Sequence, residues 1–274
     1  MTRATLAQVL RPCLGDGTAV AGLVVLGWED ARAYVAAAEA ECRPVILQAG
    51  PGARAHTPLP ILGAMFRYLA ENALVPVVAH LDHGTDMDQC RTAIECGFTS
   101  VMYDGSALPF AENILRTAEV AAMARALGVG IEAELGFVGY ADGVASKGTD
   151  PAQVAQFWRE TGVDALAVSV GNLHLMQEGT ALIDLPRLEA IAMAAPGLPL
   201  VLHGGSGIAP DLRRILARNA ICKVNIGTEL RMAFGQALRA AVNRAPARFD
   251  RIELLSETER PLIAAARAAI QSCR

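Results

Sequence analysis

Lysine is almost missing from this 274-residue chain: Lys147 and Lys223 are the only two among 24 basic side chains. An amine nucleophile therefore has very few candidates. The six cysteines (Cys13, Cys42, Cys90, Cys96, Cys222 and Cys273) form no CxxC pair and no regular framework. In a chain of this size they read as reduced thiols, several of them small core hydrophobes. No block of like charge stands out and the formal net charge is −4, which argues against a nucleic-acid partner. No apolar run reaches the ~18 residues of a membrane span, because Gly, Arg, Glu or Asp breaks each candidate. The opening "MTRATLAQVLRP" has no apolar h-region of a signal peptide. These absences point to a cytoplasmic α/β protein that binds neither membrane nor nucleic acid.

What is present is a long alternation. Apolar runs of strand length lie at 19–27, 44–50, 75–82, 98–104, 129–136, 164–171, 198–205 and 221–227. Between them run amphipathic segments such as "WEDARAYVAAAEAEC" and "FAENILRTAEVAAMARAL", with apolar residues at i, i+3, i+4 and i+7. Continuous rather than alternating hydrophobicity in the strands means that both faces are covered, as in a parallel sheet. Eight such units without a linker predict a (β/α)8 TIM barrel, one domain over 1–274 with a C-terminal helical extension. A doubly wound open sheet is the competing architecture. No GxGxxG follows the first strand, which weakens its dinucleotide-binding form.

The polar residues then fall at one rim. His80, Asp82 and His83 close the third strand in "VPVVAHLDHGTD"; Asp104 ends the fourth, Glu132 and Glu134 the fifth. His174 follows the sixth strand, His203 ends the seventh and Asn225 the eighth. A single histidine at a strand end is most often structural; four at the catalytic rim of one barrel point to a site. Three imidazoles from separate strands match an open zinc site, with a position left for substrate or water. Strand alternation puts His80 and Asp82 on one face, with His83 already in the turn, and spacing does not choose between His80 and His83 as ligand. Glycines and a hydroxyl in "HGGSG" (203–207), together with "NIGT" (225–228), can turn backbone N–H groups toward one phosphate. A metal beside a phosphate pocket and a carboxylate suits chemistry at the carbonyl of a phosphorylated sugar.

The landmarks "HLDHG", "SVMYDGS", "EAELG", "TGVDALAVSVG", "LVLHGGSG" and "KVNIGTEL" run in this order over roughly 15–245. Together they resemble the class II, zinc-dependent ketose-bisphosphate aldolases, in particular the branch with tagatose-bisphosphate aldolase. The resemblance implies an aldehyde-lyase that cleaves a phosphorylated ketose reversibly into dihydroxyacetone phosphate and an aldehyde. It makes Asp82 the proton donor to the hydroxyl of the cleaved bond and His83, His174 and His203 the ligands of catalytic zinc, with His80 behind them. Asp104 and Glu134 match a second metal or monovalent-cation position. Gly204, Gly205, Ser206, Asn225, Ile226, Gly227 and Thr228 match the phosphate site, and the family implies a homodimer or homotetramer.

The chain also departs from that pattern. It reads "GNLHL" for "GTAHG", so Leu175 replaces a glycine whose conformations a leucine does not share. The loop 137–150 is short and carries "VGYADG", which leaves Asp142 to stand in for the family's loop glutamate. The first strand lacks the "FN" pair, and Gly50 occupies a position that often holds Ser or Thr. These departures bear on the sugar more than on the metal chemistry. Three other readings compete: a Schiff-base aldolase using Lys223, a sugar-phosphate-binding relative without turnover, and an isomerase or epimerase acting on a non-standard phosphorylated ketose.

Overall fold

A computed structural model describes residues 2–141 and 143–274. The chain opens with α1 (Leu6–Asp16), β1 (Val20–Val24), α2 (Trp28–Ala40), β2 (Val45–Ala49), α3 (Pro51–His56) and α4 (Leu59–Asn72). Next come β3 (Val77–Gly84), α5 (Met87–Glu95), β4 (Ser100–Tyr103), α6 (Phe110–Ala126), β5 (Gly130–Leu135) and α7 (Pro151–Thr161). The chain continues with β6 (Ala165–Val168), α8 (Leu185–Ala194), β7 (Leu200–Leu202), α9 (Pro210–Ala217), β8 (Ile221–Ile226) and α10 (Thr228–Arg244). It ends with α11 (Arg251–Ser256) and α12 (Glu259–Gln271). The strands form a closed parallel barrel in sequential order, sealed where Val20 of β1 meets Lys223 of β8. This is the (β/α)8 barrel, and each of its strands falls on an apolar run expected from the sequence, with β3 alone extending past its run to Gly84.

The helices start where local chemistry allows. Asp86, Asp150 and Asp184 accept backbone N–H groups of the first turns of α5, α7 and α8, as N-cap carboxylates do. Pro151 opens α7 and Pro109 precedes α6, both at positions with no helical N–H bond to lose.

Strand parity divides the core in two. Side chains such as Leu23, Leu47, Leu81, Val101, Ala133 and Leu202 face the helices and form the larger apolar layer. Val20, Ile46, Val78, Met102, Ala167 and Val201 pack instead against Leu6, Val9, Leu10 and Cys13, so α1 plugs one mouth of the barrel. Above this plug the interior turns polar: Gln48, His80, Glu132 and Lys223 are fully buried. The plug leaves the opposite mouth, at the strand C-termini, for a site. Among the described residues no helix is long and apolar enough to cross a membrane.

The third strand departs from simple alternation. β3 runs on through His83 to Gly84 instead of ending before His83, because its pairing with β4 shifts register between Leu81 and Gly84. A bulge of this kind re-aims the side chains beyond it. His83 takes a left-handed φ of 52° there.

Packing between the outer helices is close at Gly63 of α4, where a Cβ would lie 2.2 Å from the Cys96 carbonyl oxygen. Gly63→Ala is expected to destabilise the fold by about 1–3 kcal/mol, the usual cost of overpacking against unyielding backbone. Urea unfolding monitored by circular dichroism measures it.

Candidate metal and substrate site

Arg54 of α3 fixes the end of β3. Its guanidinium donates to the carbonyls of Ala49 (2.7 Å), Asp82 (2.5 Å) and His83 (2.9 Å) and to Gln89 Oε1 (3.1 Å). The backbone that carries both Asp82 and His83 is thereby held from outside the strand. Nothing in "PGARAHTP" marks Arg54 for this task in the sequence.

His83, His174 and His203 come together from β3, the loop after β6 and the end of β7. One nitrogen from each lies within 4.8 Å of the others. The ring of His83 is 4.8 Å from that of His203 and 5.3 Å from that of His174, centroid to centroid. His83 is oriented by Asp104, whose Oδ2 lies 2.7 Å from its Nδ1, which leaves Nε2 for the centre. Asn172 donates to the His203 carbonyl at 3.0 Å and steadies the backbone of the third imidazole.

A buried network beneath decides which face His203 presents and excludes His80. Lys223 Nζ donates to Glu132 Oε2 at 2.6 Å and to His80 Nε2 at 3.3 Å. His80 Nε2 must then be the acceptor, so Nδ1–H donates to Ser100 Oγ at 2.7 Å and neither ring nitrogen is free for a metal. Glu132 Oε1 lies 3.1 Å from His203 Nε2. A carboxylate there fixes the proton on Nε2, and Nδ1 faces the other two imidazoles with its lone pair. The pairing also seals Lys223 away, since both partners are fully buried.

The donor set fits a divalent cation. His203 Nδ1 and Glu134 Oε2 are buried without a hydrogen-bond partner, a costly arrangement unless something else satisfies them. Burial and the charge of His83 depress His174 to about 4, and they drive His203 far below the usual imidazole range. Burial opposes charge on His83 too, but Asp82, Asp104 and Glu134 outweigh it and raise it to about 9. Burial and Asp104 push Glu134 up to about 8. The same carboxylates that favour positive charge at His83 would favour a divalent cation there, bound through a deprotonated ring nitrogen. His83, Asp104 and Glu134 form a second cluster within 4.8 Å that shares His83 with the first.

Asp82 stays ionised: burial opposes its charge, yet the positive field of His83 and its neighbours lowers it. Asn225 Nδ2 donates to its Oδ1 at 3.3 Å. Asp82 lines a cavity of about 300 Å³ with His83, His174, Ser206, Asn225 and Thr228. Gly204, Leu175, Tyr140 and Arg231 also line it. Gly205 and Ile226 lie behind this surface, the glycine with a Cβ position only 2.5 Å from Val224 Cγ1 and the isoleucine fully buried. Both can reach a ligand only through backbone. Ser206 Oγ accepts N–H groups of Gly227 (3.3 Å) and Glu229 (3.2 Å), tying the β7 turn to the start of α10.

Leu175 takes a left-handed backbone that is costly for leucine but not reserved to glycine. It adopts φ 59°, a left-handed backbone that costs a branched side chain about 1–2 kcal/mol. Its side chain solves the space problem by remaining half exposed. Gly204, at φ 66°, has no such latitude, because a Cβ would fall 2.0 Å from the Leu173 carbonyl. Asp142 lies outside the described residues. Gly50 leaves room for a side chain beside Asp82: a Cβ would sit 3.5 Å from Oδ2.

A model of the class-II fructose-bisphosphate aldolase family matches residues 4–274. Fructose-bisphosphate aldolase of Streptococcus pyogenes serotype M1 is 41% identical over 230 residues, covering 82% of this chain and 78% of that protein. The Geobacillus stearothermophilus fructose-bisphosphate aldolase is 36% identical over 257 residues, covering 91% and 89%. Among solved structures, the YdjI aldolase of Escherichia coli superposes with a TM-score of 0.86 at 32% identity, covering 99% of this chain and 97% of that one.

If Glu132 sets the His203 tautomer, Glu132→Gln, which can offer an amide N–H to Nε2 instead, should weaken zinc binding about 10–100-fold. Competition with a chromophoric chelator reads this directly. Unchanged affinity would show that the ring is held by other means.

Proposed function

Because this chain belongs to the class-II fructose-bisphosphate aldolase family of aldehyde-lyases, we propose that its rim site cleaves a ketose bisphosphate with zinc held by His83, His174 and His203. The observation that carries this reading is the convergence of three imidazoles, one with a buried and unpartnered lone pair, beside an ionised aspartate. When bound, zinc at these ligands supplies Lewis-acid stabilisation of the negative charge that develops on the ketose carbonyl oxygen. Asp104 and Glu134 form the second cation position with His83.

The protein's own groups do the rest. Backbone N–H groups of the turns at Gly204 to Ser206 and Asn225 to Thr228, other than that of Gly227, which Ser206 Oγ accepts, hold the phosphate of the dihydroxyacetone half, with the hydroxyls of Ser206 and Thr228 on the same side. Ser206 keeps the two turns in register, and Leu175 holds the glycine-like backbone next to them. Asp82 accepts the hydroxyl proton as the carbon–carbon bond opens, and in the condensing direction returns it to the aldehyde oxygen. Asn225 holds the carboxylate in that position. Lys223 has no part as a Schiff-base nucleophile, because its ammonium is spent on Glu132 below the cavity.

Two measurements check the reading. Dialysis against a chelator is expected to abolish release of dihydroxyacetone phosphate from fructose bisphosphate, and added zinc to restore it; full activity of the metal-free protein would refute the metal role. Asp82→Asn should retain zinc and lower kcat by about 10²–10⁴, the range for loss of a positioned acid–base group. A near-normal kcat would remove Asp82 from the mechanism.

A further inference from the structure

Asp82 can meet a substrate hydroxyl only while its carboxylate is aimed, and that task rests on the aldolase reading. Asn225 does the aiming, through one N–H on Asp82 Oδ1 at 3.3 Å. A primary carboxamide can present either of its ends, however. Turned by half, Asn225 would set its own oxygen against a carboxylate oxygen, and two acceptors cannot bond. A donor on Asn225 Oδ1 would fix the productive orientation, yet that oxygen is buried and has no partner among the described residues.

A donor is at hand on β2. Gln48 is fully buried, and neither its amide nitrogen nor its oxygen has a hydrogen-bond partner among the described residues. Such a wholly unsatisfied carboxamide is costly in the interior. The other donors of this polar layer are committed, Lys223 to Glu132 and His80, and His80 to Ser100.

Strand order brings the two amides together. β1 runs between β2 and β8, with Val24 beside Gln48 and Gly22 beside Asn225. Gly22 has no side chain, and both carboxamides crowd the place its Cβ would take. A Cβ there would overlap Gln48 Oε1 and stand 3.0 Å from Asn225 Oδ1. The two ends of a carboxamide have nearly the same shape, so a half-turn of Gln48 exchanges this oxygen for an N–H without disturbing the packing. One bond then satisfies Gln48 Nε2 and Asn225 Oδ1 together.

We infer that Gln48 is a positioning residue for Asp82: its amide N–H donates to Asn225 Oδ1, which keeps the Asn225 N–H on Asp82. The relay runs from β2 over the bare backbone of β1 to β8, and from there to the carboxylate on β3. Gln48 is not part of the cavity lining, so it acts on the reaction only through Asn225. Gly22 belongs to the device, because a side chain at that point of β1 would fill the crossing.

Gln48→Met in the zinc-loaded full-length chain removes the N–H and keeps an unbranched side chain of similar length. The kcat for cleavage of fructose bisphosphate is expected to fall by about 10–100-fold, the scale of a slightly misplaced reacting group, with KM and zinc affinity within about twofold. The same substitution in Asp82→Asn separates positioning from general loosening of the barrel. There it is expected to change kcat by less than about twofold, since no carboxylate is left to aim. Gly22→Ala, whose methyl group overlaps the amide, should reproduce the selective loss with Gln48 in place, and it carries the test if Gln48→Met does not fold. Three results would overturn the inference and leave the aldolase reading standing: a wild-type kcat in Gln48→Met, a loss confined to KM, or an equal fractional loss with and without the Asp82 carboxylate. A zinc-loaded wild-type chain that releases no dihydroxyacetone phosphate from fructose bisphosphate would refute the aldolase reading itself, and the role of Gln48 would fall with it.

Discussion

The site depends on one ion pair that substrate never touches, the contact between Lys223 and Glu132 inside the barrel. Two opposite charges at 2.6 Å, both without solvent access, are tolerable only because each satisfies the other and because further hydrogen bonds use their remaining valences. Those further bonds are where function enters. The second oxygen of Glu132 fixes one nitrogen of His203, and a remaining ammonium proton occupies His80. A barrel filled with aliphatic layers would pack as well and would leave His203 free to choose its tautomer. The polar layer therefore acts as a template: it leaves a His203 nitrogen free at the proposed metal site and uses both nitrogens of His80.

This layer also shows how legible the molecule is in its sequence. All eight strands can be read from apolar runs, because burial on two faces leaves a composition that needs no partner information. Strand parity places His80 and Asp82 on one face, and in the structure that face is the barrel interior. The choice between His80 and His83 as ligand is different. It follows from a lysine 143 residues away in sequence and from a register shift in β3. Neither leaves a local trace, so only the family resemblance could favour His83 beforehand.

The same distinction separates the phosphate turns from their surroundings. Gly204 is readable because its backbone and its crowding against Leu173 both demand glycine. Leu175 misleads a reader who equates a left-handed residue with glycine alone, since an exposed side chain lets the strained backbone persist. Arg54 is illegible for another reason. Its role is to bind carbonyl oxygens, and carbonyl oxygens carry no residue identity. Tyr140 stands in plain view in "VGYADG", but its relation to His174 arises from a bridge between two loops that are separate in sequence.

The scarcity of lysine has a practical consequence once the two are placed. Lys223 is fully enclosed, whereas Lys147 is exposed on the loop whose backbone pairs with Phe137 and whose far end carries Tyr140. The folded chain therefore presents a single side-chain amine to acylating reagents, and it stands on the segment that borders the catalytic mouth. A dye attached there would report on that segment in the native sequence, with no engineered cysteine and no competing lysine elsewhere on the surface.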